Sequence, residues 1–275
     1  MVYSGFWNGF AIVSAAVVIA VAVVSVTRRL FPAADLRDGH DSTATLLAIV
    51  GTLYAVLLGL IVVDAMGDFE KASESVRMES NCLADIFLLS DRLPEPFRSH
   101  IRDTCRTYAK QVVEIEWPKM EQAQLSLEAR VTALELTRSF DGFEPKTEGE
   151  KIVYPAIIEQ IRQVWDHRRD RAASVENGIP TIEWVVLIAG AVVTIFLAGL
   201  FHVDSRRLHY LATAMTGLVI GLNIYLVCLF GYPFSGDLVV SSRPFKLDIA
   251  IFDGVYDSVP AHANESHAAA GTTVP

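Results

Sequence analysis

Three things are scarce in this chain: charge across long stretches, proline in the middle of the first half, and cysteine. No charged residue occurs from Ala44 to Val63, no proline occurs from Asp64 to Leu93, and the 275 residues include only three cysteines. The missing charge predicts a membrane span, because at about 1.5 Å per residue this run crosses a hydrocarbon core of about 30 Å. The missing proline lets that helix continue after the composition turns polar at Asp64. Apolar residues still recur at helical spacing there, at Phe69, Ala72, Val76, Leu83 and Phe87. Cys82, Cys105 and Cys228 have no metal-ligand or redox spacing. A nucleophile with its base, a metal cluster and a phosphate loop are likewise wanting, so no enzyme and no cofactor is expected.

Other absences concern targeting and charge. The opening MVYSGFWNG has no basic region, and no small-x-small pattern precedes Arg28, so the first apolar run reads as an anchor and not as a cleaved signal. The net charge of −9 comes mostly from the middle of the chain and gives nucleic-acid binding no electrostatic support. His202, His209, His262 and His267 sit at span ends or in the tail and are not read as ligands.

With 52% apolar residues, the chain reads as an all-α membrane protein with four transmembrane helices and a helical-bundle soluble domain between spans two and three. The predicted parts are a first transmembrane pair within 1–63 (spans 6–26 and 44–63), a soluble domain at 64–183, a second pair at 184–230 (spans 184–201 and 211–230), and an interfacial segment with a disordered tail at 231–275. The second span is expected to be continuous with the first soluble helix. Leu93-Pro94-Glu95-Pro96 breaks that helix, and a second one carries Phe97, Ile101, Cys105, Tyr108 and Val112 on one side. It is expected to stop at Trp117-Pro118. Cys82 and Cys105 lie at similar distances from the break, so they are either a disulfide pair or two small core side chains.

Stepping the apolar stripe back through the second span gives Ala65, Val62, Leu58, Ala55 and Gly51 on one side and Leu53, Leu57, Leu60 and Asp64 on the other. Gly51, Ala55 and Gly59 would admit a close helix neighbour, as would Gly217 and Gly221 in the fourth span, by self-association or within the chain. The leucine side faces either lipid or a pore. Arg168, Arg169 and Arg171 read either as a solvated helix surface or as a positive ring near a mouth. Basic residues in both short loops, Arg28-Arg29 with Arg37 and Arg206-Arg207, place those loops in the cytoplasm and the soluble domain outside a cell inner membrane.

Several motifs stand in a telling order: Gly51-Thr52-Leu53-Tyr54 with Leu57-Leu58-Gly59, Glu116-Trp117-Pro118-Lys119-Met120, Arg168 to Arg171, Gly178-Ile179-Pro180 with Trp184, and Pro233-Phe234-Ser235-Gly236. From Leu46 to Asp248 the chain resembles the bestrophin-like domain-of-unknown-function family of membrane proteins. It departs from that pattern at Gly231-Tyr232, where an aspartate usually precedes the Pro-Phe-x-Gly motif. The resemblance implies a homo-oligomeric chloride channel whose pore is lined by the second span and whose helical body lies in the cytosol, opposite to the orientation read from charge.

The expected function is thus a homo-oligomeric channel for inorganic ions. Leu53, Leu57 and Leu60 would form its constriction and Asp64 its mouth, with Asp68, Glu70, Arg168, Arg169 and Arg171 as further mouth charges. Anions follow from the resemblance, cations from the carboxylates. The alternative is a non-conducting membrane protein whose helical domain binds a partner or senses extracytoplasmic conditions.

Overall fold

The computed structural model describes residues 6–176 and 178–254. The expected disordered tail beyond Ser258, with His262 and His267, lies outside the described residues. Those described form ten α-helices and no strand: α1 Phe6–Leu30, α2 Ala33–Asp38, α3 His40–Leu89, α4 Phe97–Gln111, α5 Trp117–Met120, α6 Leu127–Arg138, α7 Glu148–Glu176, α8 Thr181–Leu200, α9 Arg206–Phe230 and α10 Arg243–Phe252. Four of them, α1, α3, α8 and α9, are long and apolar enough to cross a membrane. In hydrocarbon every backbone amide must be paired within the segment, which leaves these runs no conformation but helix. The ends are set locally. Ser205 accepts from the Leu208 amide to open α9, Ser126 does the same for α6 from Ala129, and the Pro94 and Pro96 pair separates α3 from α4.

The helix α3 runs unbroken for 50 residues. Its spanning part belongs to one compact unit and its last turns to another: the first unit takes residues up to Ser75, Lys119–Leu125 and Asp170–Val240, the second Val76–Pro118, Ser126–Arg169 and the chain from Ser241.

In the first unit α1 packs along α9 and α8. Gly217 and Gly221 of α9 lie against Ala16, Ala20 and Val13 of α1, so closely that a Cβ at either position would overlap them. This glycine pair serves packing within the chain. Thr27 ties α1 to α8 by donating to the Gly199 carbonyl at 2.9 Å. The helix α3 joins through Tyr54, whose ring occupies the space that a Cβ at Gly190 would fill and whose hydroxyl donates to the Leu187 carbonyl at 3.1 Å. Tyr54, Leu58 and Ile61 bury with Leu187, Ala191 and Ile195 as one core.

In the second unit the core side of α3 meets three helices. Tyr108 of α4 donates to the buried Glu79 carboxylate at 2.5 Å, Gln163 of α7 receives the Cys82 thiol at 3.5 Å, and Phe252 of α10 stacks on Phe87 with ring centroids 4.2 Å apart. Arg102 then covers Phe87 from 4.0 Å. Cys82 and Cys105 are both free and buried. The disulfide alternative gives way to two core side chains, and burial pushes the Cys105 thiol well above its ordinary range.

The expected stop at Pro118 is also corrected. After α4 the chain winds as a π-helical turn, Val112–Glu116, and resumes as α5 with Pro118 in its first turn. Pro118 follows directly on the π-helical turn, whose closing bond runs from the Trp117 amide to the Val112 carbonyl five residues back.

Asp248 of α10 is buried and accepts a short hydrogen bond from Ser80. Burial pushes its carboxyl from the ordinary 3.8 to about 7, with the Ser80 bond offsetting part of the rise. A carboxyl raised in the folded state contributes its full stability below the unfolded value and loses it as pH climbs through the folded value. Stability of the wild type should therefore fall between about pH 4 and about pH 7 from this group, and Asp248→Asn should flatten that fall. Thermal midpoints across this range give the check, and equal slopes in the two proteins would show that Asp248 does not carry the proton.

Candidate functional site

The spanning part of α3 has three unlike sides. Tyr54, Leu58, Ile61 and Ala65 are buried, whereas Leu53 and Leu60 remain 67% and 64% exposed, and Asp64 continues their stripe at the polar end. Leu57 is partly covered. The third side carries Gly51, Ala55 and Gly59. A Cβ at either glycine would meet nothing within 4 Å, so the single chain uses neither for packing, in contrast to Gly217 and Gly221. Leu53 and Leu60 on the leucine side and Ala55 and Gly59 on the small-residue side are exposed.

At the end of the leucine stripe an apolar groove of about 540 Å³ runs between α3 and α8, lined by Leu57, Leu60, Ile61 and Val63 on one wall and Ile182 and Val186 on the other. Asp64 and Glu183 close its polar end and also line a second cavity of about 200 Å³, together with Asp68 and Lys71. Lys71 donates to Asp68 at 2.8 Å. The cavity thus gathers three carboxylates against one ammonium. Glu70, expected among the mouth charges, is exposed and does not line it.

Two of the sequence motifs interlock at this cavity. Ile179 lies where a Cβ on Gly231 would stand, and Tyr232 lies where one on Gly178 would stand. Gly178-Ile179-Pro180 and Gly231-Tyr232-Pro233 therefore fit only because both glycines lack side chains. The carboxylates of this cavity come from α3 and from Glu183, which sequence reasoning did not pick out although it is the acidic residue that opens α8.

The arginines part company. Arg169 is exposed and pairs with Asp166. Arg168 and Arg171 are 5% and 1% exposed, which corrects their reading as solvated or mouth-ring charges. Within the second unit Arg168 donates to Glu116 at 2.5 Å, both side chains being nearly inaccessible. Within the first, Arg171 lies 3.0 Å from the Met120 sulfur. The signal was present, since Ile157, Ile161, Val164, Arg168 and Arg171 follow one another at spacings of four and three and share one helix side. Glu116 carries the same signal, since it follows the buried Cys105, Ala109 and Val112 at spacings of four, three and four.

Comparison with known proteins agrees with this architecture. The Bestrophin-like domain model matches residues 14–245. Crystal structures of point variants of a bacterial bestrophin homologue from Klebsiella pneumoniae share the fold. One superposes with a TM-score of 0.65 at 11% identity, covering 87% of this chain and 98% of that one. A second gives 0.63 at 11% identity over 92% and 100% of the two chains, and a third 0.61 at 10% over 88% and 99%. No functionally curated protein matches the sequence. With most of its length, from the first span to α10, matched by one family model, the chain belongs to the bestrophin-like family of membrane proteins.

Proposed function

We propose that the protein is a homo-oligomeric ion channel in which α3 from several subunits surrounds an axis. The observation that carries this reading is the stripe of exposed Leu53 and Leu60 with partly covered Leu57 between them, running into exposed Asp64. Open glycines at 51 and 59 on the adjoining side give a neighbouring helix room to approach. Bestrophins as a class are oligomeric channels, and the family membership of this chain supports the same assembly. The leucines form an apolar constriction that opens by wetting, and the carboxylates of Asp64, Asp68 and Glu183 form its mouth.

Ion choice follows from local charge, because exposed charges beyond a Debye length of about 8 Å are screened at physiological salt. Arg168 and Arg171 are buried in the single chain, and the mouth holds more acid than base. This favours cations over the anions that the family resemblance implies. Protein reconstituted in liposomes is expected to pass ions, with Leu57→Ala or Leu60→Ala raising the flux. Asp64→Asn should shift the reversal potential toward anions in a salt gradient. Absence of flux in several salts would end the channel reading, whereas an unmoved reversal potential in an active Asp64→Asn protein would remove the mouth.

The side on which residues 64–183 lie is proposed to be extracytoplasmic. The two basic loops support it, for Arg37 of the first pairs with Asp204 of the second at 3.1 Å, so both present their arginines at one end of the first unit. All three native cysteines are buried, which leaves a clean background for Lys146→Cys in the exposed turn before α7. An impermeant thiol reagent should label it in intact cells. Labelling only after permeabilisation would invert the topology.

A further inference from the structure

We propose that the basic cavity at the loop end of the membrane unit binds a phosphate-bearing anion. This cavity of about 400 Å³ is lined by Arg28 and Arg29 from the last turn of α1 and by Arg206, the first residue of α9, with His209 at its back and Phe31 and Phe201 on its apolar wall. No carboxylate is among its described lining residues. Asp204, in the neighbouring loop, is engaged by Arg37 at 3.1 Å and His202 at 3.3 Å. Its volume lies within the roughly 300 to 1,000 Å³ range of small-molecule sites.

The arrangement is more ordered than basic span ends require. Arg28 donates through Nε to His209 Nδ1 at 2.9 Å and through Nη2 to the Val203 carbonyl at 2.8 Å. Since Nδ1 accepts, the His209 proton resides on Nε2, which donates to the Ala198 carbonyl at 3.2 Å. His209 is 2% exposed. A buried imidazole that makes both its hydrogen bonds thus fixes one guanidinium before any ligand arrives. Arg29 and Arg206 are exposed and form no ion pair among the described residues. A planar fork held in place beside two further guanidiniums suits phosphate oxygens, for which arginine donors match in charge and geometry. Helix ends of a bilayer-crossing bundle lie at the depth of lipid phosphates, and basic pockets between such helices bind anionic head groups. The ligand is therefore the phosphate of an anionic lipid or a free phosphate. The inference holds whether or not the protein conducts.

Full-length protein in non-ionic detergent, titrated with phosphatidylglycerol, phosphatidylcholine or inorganic phosphate and read by native mass spectrometry, tests it. Phosphatidylglycerol is expected to bind in preference to phosphatidylcholine, and the double variant Arg29→Gln, Arg206→Gln to weaken it about tenfold or more. Both arginines are exposed, so folding should persist, and circular dichroism verifies this. Arg29→Lys, Arg206→Lys should retain most of the binding. Arg207→Gln, one residue outside the cavity, should change it little. Displacement of the lipid by inorganic phosphate, with the same dependence on the variants, assigns the site to free phosphate; failure to displace it assigns the site to lipid. Undiminished binding in the Gln double variant, or an equal loss in Arg207→Gln, would overturn the site.

Discussion

The unbroken hydrogen-bond ladder of α3 is the constraint on which the rest depends. Hydrocarbon forces residues 44–63 to be helical, and the lack of proline from Asp64 to Leu93 gives the ladder no reason to end at the membrane surface. A continuous helix keeps its phase. Tyr54, Leu58, Ile61, Ala65, Ala72, Val76 and Leu83 are all buried and follow one another at spacings of three, four or seven, so a single side of α3 is apolar along most of its length. With that side committed to packing, Leu53, Leu60 and Asp64 must point elsewhere. The exposed stripe is a consequence of the phase and needs no separate cause.

The acidic cavity at the end of this stripe is bordered by two motifs that interlock through their glycines. Glycine at 231 lets Ile179 press against the backbone after α9, and Gly178, Ile179 and Pro180 line the cavity together with Asp64, Asp68 and Glu183. Lys71 neutralises part of the cluster and holds Asp68. At the opposite end of the same unit the chemistry reverses sign, with arginines and a buried histidine around the cavity between α1 and α9. The bundle carries acid at one end and base at the other.

Much of this was legible in the residues, for identifiable reasons. The four spans follow from charge-free runs, the Gly217 and Gly221 contact from their four-residue spacing, and the long helix from missing proline. Arg168 and Arg171 were misread because charge was weighed before phase: they continue the stripe of Ile157, Ile161 and Val164 and are buried with it. Their surroundings were beyond local reading, since Glu116 is 52 positions from Arg168. The fit of Tyr54 into the space at Gly190 is equally non-local. Local pattern gives the helices and their apolar sides; the pairing of distant side chains comes only with the packing.

Which side of α3 meets the ion path is the central claim, and charged thiol reagents applied to single-cysteine channels in liposomes test it most directly. With native cysteines buried, Leu53→Cys, Leu57→Cys and Leu60→Cys should each be blocked by a positively charged reagent, while Val18→Cys on the exposed side of α1 should conduct unchanged. Block at Val18 with none at the three leucine positions would contradict the account, because it would assign the path to another helix and leave the leucine stripe to lipid.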